Sequence, residues 1–259
     1  MTEEQVVDDE SEDFYDEGPR GTAAIFGPTV NAIFAPQAAF DALVVRPVLA
    51  IWPLIWVTLG AVVMGFLNSD ITRQTFRLGM IEGMQRQGQE LDPEQLRPML
   101  EGIDKWAPVM ASAGNLFLVV FVVVVAALFW MASSLSGGST SFVKAFGVAA
   151  IGSVITPLLL LGFMTLMWQI DPPEFRRIAE FQRATPNLSL ALIFGGEEAS
   201  TFVTTLLQSV SLFNVWWIYV TAIGCRTLLE IKSGAAWGAP IVIWLIMSLI
   251  SSGLASMNG

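Results

Sequence analysis

The chain alternates between long apolar stretches and short charged ones. Five windows contain no charged residue, and each exceeds the ~20 residues that a membrane-spanning helix requires: residues 47–69, 106–143, 145–170, 199–225 and 233–259. Within them, the pattern predicts spans at about 47–68, 114–135, 143–168, 204–226 and 237–256. The expected fold class is therefore all-α: a polytopic membrane protein with a five-transmembrane-helix bundle and short amphipathic loop helices.

The fourth window carries the most polar span. Read as one continuous helix from Ser200 to Arg226, it places amide and hydroxyl side chains on one side. An unpaired amide in hydrocarbon costs several kcal/mol, so this side is expected to face other helices. The candidate helix-packing or interaction residues of this span are Gln208, Ser211, Asn214, Trp216 and Thr221. Interhelical hydrogen bonding and contact with a solute both remain open for them.

Two other spans carry small residues four apart, a spacing that lets a neighbouring helix approach closely. These residues are Ala145, Ala149 and Ser153 in the third span, and Ser248 and Ser252 in the fifth. Pro157 follows in the middle of the third span, where it removes a helical hydrogen bond and predicts a bend. Gly137 and Gly138 form the expected hinge of the tight loop between the second and third spans.

The segments outside the spans divide into three kinds. Residues 1–20 are acidic and poor in apolar residues, which predicts a disordered tail that is either solvated or docks a basic partner. Residues 21–45 predict an interfacial amphipathic segment, with Ala39, Phe40 and Leu43 on one face of a helix that begins at Pro36. The polar loop 69–105 predicts two short amphipathic helices on the membrane or on the bundle.

Composition excludes several functions. Only 14% of the residues are charged, against ~25% in soluble proteins, and 54% are hydrophobic. A net charge of −10 argues against nucleic acid. The chain has no histidine and one cysteine, so we expect no metal, no cofactor and no Cys-His or Ser-His catalysis. We therefore expect a protein that is not an enzyme.

Six short motifs follow one another along the chain: FAPQAAF (34–40), SGGSTSF (136–142), ITP (155–157), SLFNVWW (211–217), Gly224 and KSGAAW (232–237). Their order resembles the YIP (Ypt-interacting protein) membrane-domain family, in its bacterial branch. The resemblance covers about 30–259 and implies a five-span YIP-like membrane domain, 46–259 here, with a cytoplasmic N-terminus. Members of the family are not known as enzymes. Eukaryotic relatives bind small GTPases and one another, a role we do not carry over, whereas bacterial relatives look like accessory partners of membrane complexes.

These observations predict a non-enzymatic accessory, scaffold or assembly subunit of a membrane complex in the bacterial inner membrane. Its expected partners are the lipid bilayer and other integral membrane proteins or a second copy of itself, reached through the small-residue stripes. The alternative is a transporter or channel for a neutral solute or lipid, with Pro157 and Asn214 along its path. Counts of Lys and Arg leave the topology undecided, and the acidic tail without an export signal favours a cytoplasmic N-terminus.

Overall fold

The computed structural model describes residues 21–88, 93–114, 117–173, 175–176, 180, 188–194 and 200–258. These residues form helices and their connections, and the only β pairing among them is an isolated bridge between Ser189 and Ser211. The all-α class is therefore confirmed. The predicted acidic tail, 1–20, lies outside the described residues.

The described helices are numbered in chain order as α1 (Thr22–Phe34), α2 (Pro36–Val45), α3 (Pro47–Leu67), α4 (Ser69–Arg86), α5 (Pro93–Gly114), α6 (Phe117–Leu135), α7 (Phe142–Ile170), α8 (Ala191–Phe194), α9 (Thr201–Ser209), α10 (Leu212–Thr227) and α11 (Ser233–Asn258). The first turn of α3 is a 3₁₀ helix, Pro47–Ala50, and the middle of α7 is a π-helix, Val154–Leu160.

Four of the described helices are long and apolar enough to cross a membrane. They are α3, α6, α7 and α11, with mean hydropathies of 2.1, 2.6, 2.1 and 1.9. They occupy the positions of the first, second, third and fifth predicted spans. Much of their surface faces outwards, because only 22–50% of the most apolar window of each helix is buried within the chain.

The fourth predicted span is not one continuous helix, and that expectation was wrong. α9 ends at Ser209, and α10 begins at Leu212. Between them, Ser211 is extended (φ −119°, ψ 160°), and its neighbours exchange backbone hydrogen bonds with the segment around Ser189. This pairing replaces helical hydrogen bonds at the break. Because the segment is divided there, neither α9 nor α10 alone has the ~20 residues that a membrane crossing requires.

The segment 21–45 packs into the bundle. Ala39, Phe40 and Leu43 share one face of α2, as predicted, and they are 0–1% exposed. The phenyl ring of Phe40 lies against Gly224 of α10, and Leu43 lies beside Gly147 of α7. The face that we expected in the membrane interface is therefore covered by helices of the same chain.

The first long loop forms a helical hairpin, with α4 packed along α5. Arg73 and Arg77 of α4 both pair with Asp104 of α5. α5 also packs against α3, which fixes the hairpin to the bundle. These helices have 18 and 22 residues, so they are longer than the short loop helices that we expected.

The connection between α6 and α7 is fixed by the segment that follows α10. Gly137 has a positive φ of 70°, which favours glycine. The N–H of Ser139 donates to the Leu229 carbonyl at 2.7 Å, and a Cβ at Gly138 would collide with that same oxygen. Local geometry thus requires both glycines of the predicted hinge. Gly137 is required by its positive φ, and Gly138 by the close approach of the Leu229 carbonyl oxygen.

Candidate functional site

The break between α9 and α10 is closed by polar side chains. Ser211 caps α10, because its Oγ accepts the N–H of Asn214 at 3.2 Å. The Asn214 Nδ2 donates to the Ser209 carbonyl at 2.7 Å, and Trp244 Nε1 of α11 donates to the same oxygen at 3.2 Å. The carbonyl that the break frees therefore accepts two donors, one from α10 and one from α11.

A second irregular segment lies next to this break. Pro157 is inside the π-helical part of α7, Val154–Leu160, and a proline cannot donate a helical hydrogen bond. The adjacent Thr156 hydroxyl donates to Asn214 Oδ1 at 3.4 Å. Asn214 therefore links the two places where the helices depart from regular geometry. π-Helical segments in proteins are frequently found at functional sites.

A cavity of about 250 Å³ lies at this junction, between α6, α7, α10 and α11. Five of the predicted site residues line it: Ala149, Ser153, Pro157, Asn214 and Ser248. The rest of the lining is largely apolar or aromatic, and it contains no charged residue. We call this space the α6–α11 cavity.

The small-residue stripes pack within the chain. Ala145, Ala149 and Ser153 of α7 are at most 3% exposed, and Ser248 and Ser252 of α11 are at most 5% exposed. The Ser153 Oγ donates to the Ala150 carbonyl, whereas the buried Ser252 Oγ has no hydrogen-bond partner among the described residues. Helices of the same chain cover both stripes. A partner protein, which we expected to pack on the stripes, would therefore have to bind a different surface.

Thr221 and Gln208 lie away from the cavity. Thr221 is fully buried, and its hydroxyl donates to the Trp217 carbonyl of its own helix at 2.7 Å. Its methyl group faces Gly152 of α7, where a Cβ would lie 2.7 Å from it. Thr221 is thus a packing residue between α10 and α7, and Gln208 is half-buried on α9.

Trp216 is the predicted site residue that faces outwards. Its ring stacks on Tyr219 with centroids 5.0 Å apart, and Tyr219 contacts Trp237 of α11 at 6.1 Å. The three residues are 37%, 39% and 45% exposed. We call them the aromatic surface.

Charged side chains lie where α7 and α11 begin and where α10 ends. Lys144 Nζ is 2.7 Å from Glu230 Oε1, which brings the starts of α7 and α11 to the same end of the bundle. This hydrogen bond, together with the charge of Lys144, lowers the pKa of the Glu230 carboxyl below its ordinary value of 4.5. Glu230 also has a positive φ of 57°, an uncommon conformation for a residue other than glycine.

Two tryptophans of this site are not among the residues predicted from the sequence. Trp217 lines the cavity, and Trp244 both lines it and holds the helix break. Trp244 lies 35 residues from its acceptor, so no local pattern indicates the contact. A local signal did exist for the break itself, because a serine three residues before Asn214 suits the first residue of a helix.

These features define a polytopic helical membrane protein with an uncharged cavity among four of its helices, at the junction of two irregular segments. The family model of the Yip1 domain matches residues 30–254, and the chain belongs to this family. The predicted YIP resemblance is thus confirmed. Comparison with curated proteins and with solved structures found no significant match.

Proposed function

We propose that this Yip1 domain protein is a non-enzymatic accessory, scaffold or assembly subunit that binds other integral membrane proteins or a second copy of itself. The observation that carries this proposal is the aromatic surface. Tryptophan and tyrosine are enriched among the residues that dominate binding energy at protein interfaces. Here three of them form one continuous exposed surface across α10 and α11.

The depth of Trp216 supports a protein partner over a role as a membrane anchor. Tryptophans that anchor a helix lie at the membrane–water interface. Trp216 precedes Arg226, the first charged residue towards the end of α10, by ten residues, or about 15 Å of helix. That distance is half of the ~30 Å hydrocarbon core. An exposed tryptophan at this depth is well placed to contact another helix.

The proposal includes a fifth crossing made by α9 and α10 together, interrupted at Val210 and Ser211. Non-helical backbone is tolerated at membrane depth where it is buried in protein or lines a cavity, and this break adjoins the α6–α11 cavity. We also place the protein in the bacterial inner membrane with a cytoplasmic N-terminus. Arg46, Arg226 and Lys232 would then lie on the cytoplasmic side with Lys144.

Cross-linking in native membranes tests the proposed contact. Two copies with different tags are co-expressed, cross-linked and purified in mild detergent, and co-purifying membrane proteins are identified by mass spectrometry. Replacing Trp216 and Tyr219 with leucine keeps the surface apolar but removes the rings. We expect recovery of the second copy, or of one reproducible membrane protein, to fall by about fivefold or more, as for loss of an interface residue that contributes strongly.

Trp106→Leu is the matched control, because Trp106 is 53% exposed on α5, outside the aromatic surface. It should leave recovery unchanged. Equal recovery from the Trp216/Tyr219 variant and the wild type would contradict the proposal. Cross-links from this surface to lipid alone would contradict it as well.

The topology is tested separately with Lys232→Cys in a Cys225→Ser background. If Lys232 lies on the cytoplasmic side, a membrane-impermeant maleimide should label the new cysteine only in permeabilised cells.

The α6–α11 cavity favours a second candidate function, passage of a neutral solute or lipid. Discontinuous helices surround the substrate sites of many transporters, and two irregular segments meet here at Asn214. Proteoliposomes tested for glycerol entry by light scattering would then swell faster than protein-free vesicles. Ser248→Leu, which narrows the cavity, would remove the difference. Equal swelling with and without protein would count against passage of this solute.

A further inference from the structure

The α6–α11 cavity opens to the outside of the bundle. Phe121 of α6 and Ser251 of α11 line it and are also exposed on the outer surface. Both helices are long and apolar enough to cross a membrane, so the surface between them faces lipid. A molecule dissolved in the bilayer can therefore enter between α6 and α11 without passing through water.

The size of the cavity indicates a small molecule or one end of a larger one. Its volume of about 250 Å³ exceeds the ~150 Å³ of an engineered cavity that binds benzene. It is slightly smaller than the ~300–1,000 Å³ of pockets that hold drug-sized ligands. A whole diacyl lipid does not fit, but its polar end does, with the acyl chains leaving through the opening.

The polar atoms of the lining select for a neutral hydrogen-bond acceptor. No charged side chain lines the cavity, so an ionised group would be left uncompensated. The Trp217 side chain lines the cavity and is partly buried, and its indole N–H makes no hydrogen bond with a described residue. The Asn214 amide has used one N–H on the Ser209 carbonyl and retains a second. The lining therefore offers donors to a ligand oxygen.

We propose that the α6–α11 cavity binds a neutral lipid whose polar end carries carbonyl or hydroxyl oxygens, such as a diacylglycerol. The ester and hydroxyl oxygens accept hydrogen bonds from Trp217 and Asn214, and the acyl chains extend into the bilayer between α6 and α11. This inference names a ligand class for the cavity of the second candidate function. It concerns binding alone and holds whether or not the ligand is moved across the membrane.

Photolabelling in nanodiscs tests the proposal with two probes that differ by one phosphate. A photoactivatable diacylglycerol and the corresponding phosphatidic acid carry the same acyl chains, and labelled peptides are mapped by mass spectrometry. We expect the diacylglycerol to label cavity-lining peptides of α10 and α11. The phosphatidic acid should label them several-fold less, because the lining holds no cation to pair with its phosphate.

Two variants and a control locate the label. Ser248→Leu fills part of the cavity and should abolish most of the labelling. Trp217→Phe removes the N–H together with one ring of the indole, and it should lower labelling by at least the roughly two- to tenfold expected from losing one hydrogen bond. Leu249→Phe changes a neighbouring residue on the exposed side of α11 and should have no effect. Gel filtration and thermal unfolding in detergent verify that each variant is folded.

Several outcomes would overturn the proposal. They are equal labelling by both probes, labelling confined to outward-facing residues, and labelling that neither Ser248→Leu nor Trp217→Phe reduces. If Ser248→Leu does not fold, Trp217→Phe and the comparison of the two probes still test whether the cavity binds the lipid.

Labelling of the cavity in a protein that shows no solute flux would contradict the passage of a solute but would still support the proposed lipid-binding site. Replacing Trp216, the basis of the proposed protein contact, should leave labelling unchanged, so the two proposals fail separately.

Discussion

Gly224 is a position where the bundle leaves no room for added volume. A Cβ built on Gly224 would lie 2.6 and 2.7 Å from two ring carbons of Phe40 and 3.1 Å from a methyl of Val148. Non-bonded carbon atoms in contact are normally ~3.5–4.0 Å apart. Gly224→Ala therefore requires α10 to move away from α2, or the Phe40 ring to shift, by about 1 Å.

The expected cost follows from the burial of that ring. Phe40 is fully buried, so it cannot relieve the collision by turning towards the outside. Adding a methylene to a packed core costs typically ~1–3 kcal/mol. Alanine regains at most ~1 kcal/mol over glycine from helix propensity. We predict a net loss of up to about 2 kcal/mol in the free energy of unfolding, and a larger difference from a glycine-to-alanine change that meets no collision.

The measurement is unfolding by SDS titration in mixed micelles, with near-UV circular dichroism to follow tertiary packing. Gly238→Ala on α11 is the matched control, because a Cβ there meets nothing within 4 Å. It should be neutral or slightly stabilising. Phe40→Leu destabilises the protein by itself, but it should lower the free energy of unfolding less in the Gly224→Ala background than in the wild type. If Gly224→Ala is as stable as Gly238→Ala, the close contact between α2 and α10 is not as described.

Three further changes test local interactions. Because the pKa of Glu230 is lowered, its pairing with Lys144 stabilises the folded protein above the ordinary carboxyl pKa near 4.5 and stops doing so as pH falls below it. In thermal unfolding, Glu230→Gln should therefore be less stable than the wild type at pH 7, and this difference should disappear in more acidic buffer. A difference in stability that does not depend on pH would refute the role of the Glu230–Lys144 pair. Thr165→Val removes the acceptor of the buried Asn68 Nδ2, 2.7 Å away, and should cost ~1–3 kcal/mol in SDS titration. Ser211→Ala removes the cap of α10 and should cost ~0.5–2 kcal/mol, with hydrogen exchange increasing first in the N-terminal turn of that helix.

Apolar content and local periodicity were sufficient to predict much of this fold. Three of the four long apolar helices lie within charge-free windows, and the fourth, α7, departs from its window only in the first turn, which contains Lys144. The face of α2 formed by Ala39, Phe40 and Leu43 is buried, as its spacing indicates. The family resemblance also has a physical basis, because Phe40 of one motif rests on Gly224 of another. Length, spacing and glycine positions are local properties, which explains why a single sequence reveals them.

The environment of each polar residue depended on contacts that no local pattern contains. Asn214 was placed on a stripe facing other helices, but it bonds the Ser209 carbonyl at the break as well as Thr156 of α7. The small-residue stripes predict close packing and are buried within the chain, but which helix covers them depends on the tertiary fold. The aromatic surface combines Trp216 and Tyr219 with Trp237, from a separate helix.

The break in the α9–α10 segment is easier to explain by function than by folding. A continuous helix would satisfy the Ser209 carbonyl with its own backbone, whereas this chain uses Asn214 and Trp244 for the same purpose. The break therefore adds two side-chain requirements, and its backbone hydrogen bonds with Leu188 and Leu190 only replace those that a regular helix makes internally. It places Asn214 on the wall of a cavity, beside the π-helical segment that contains Pro157. Two irregular segments that meet at the same uncharged cavity are explained together by a site that needs a polar group within an apolar bundle.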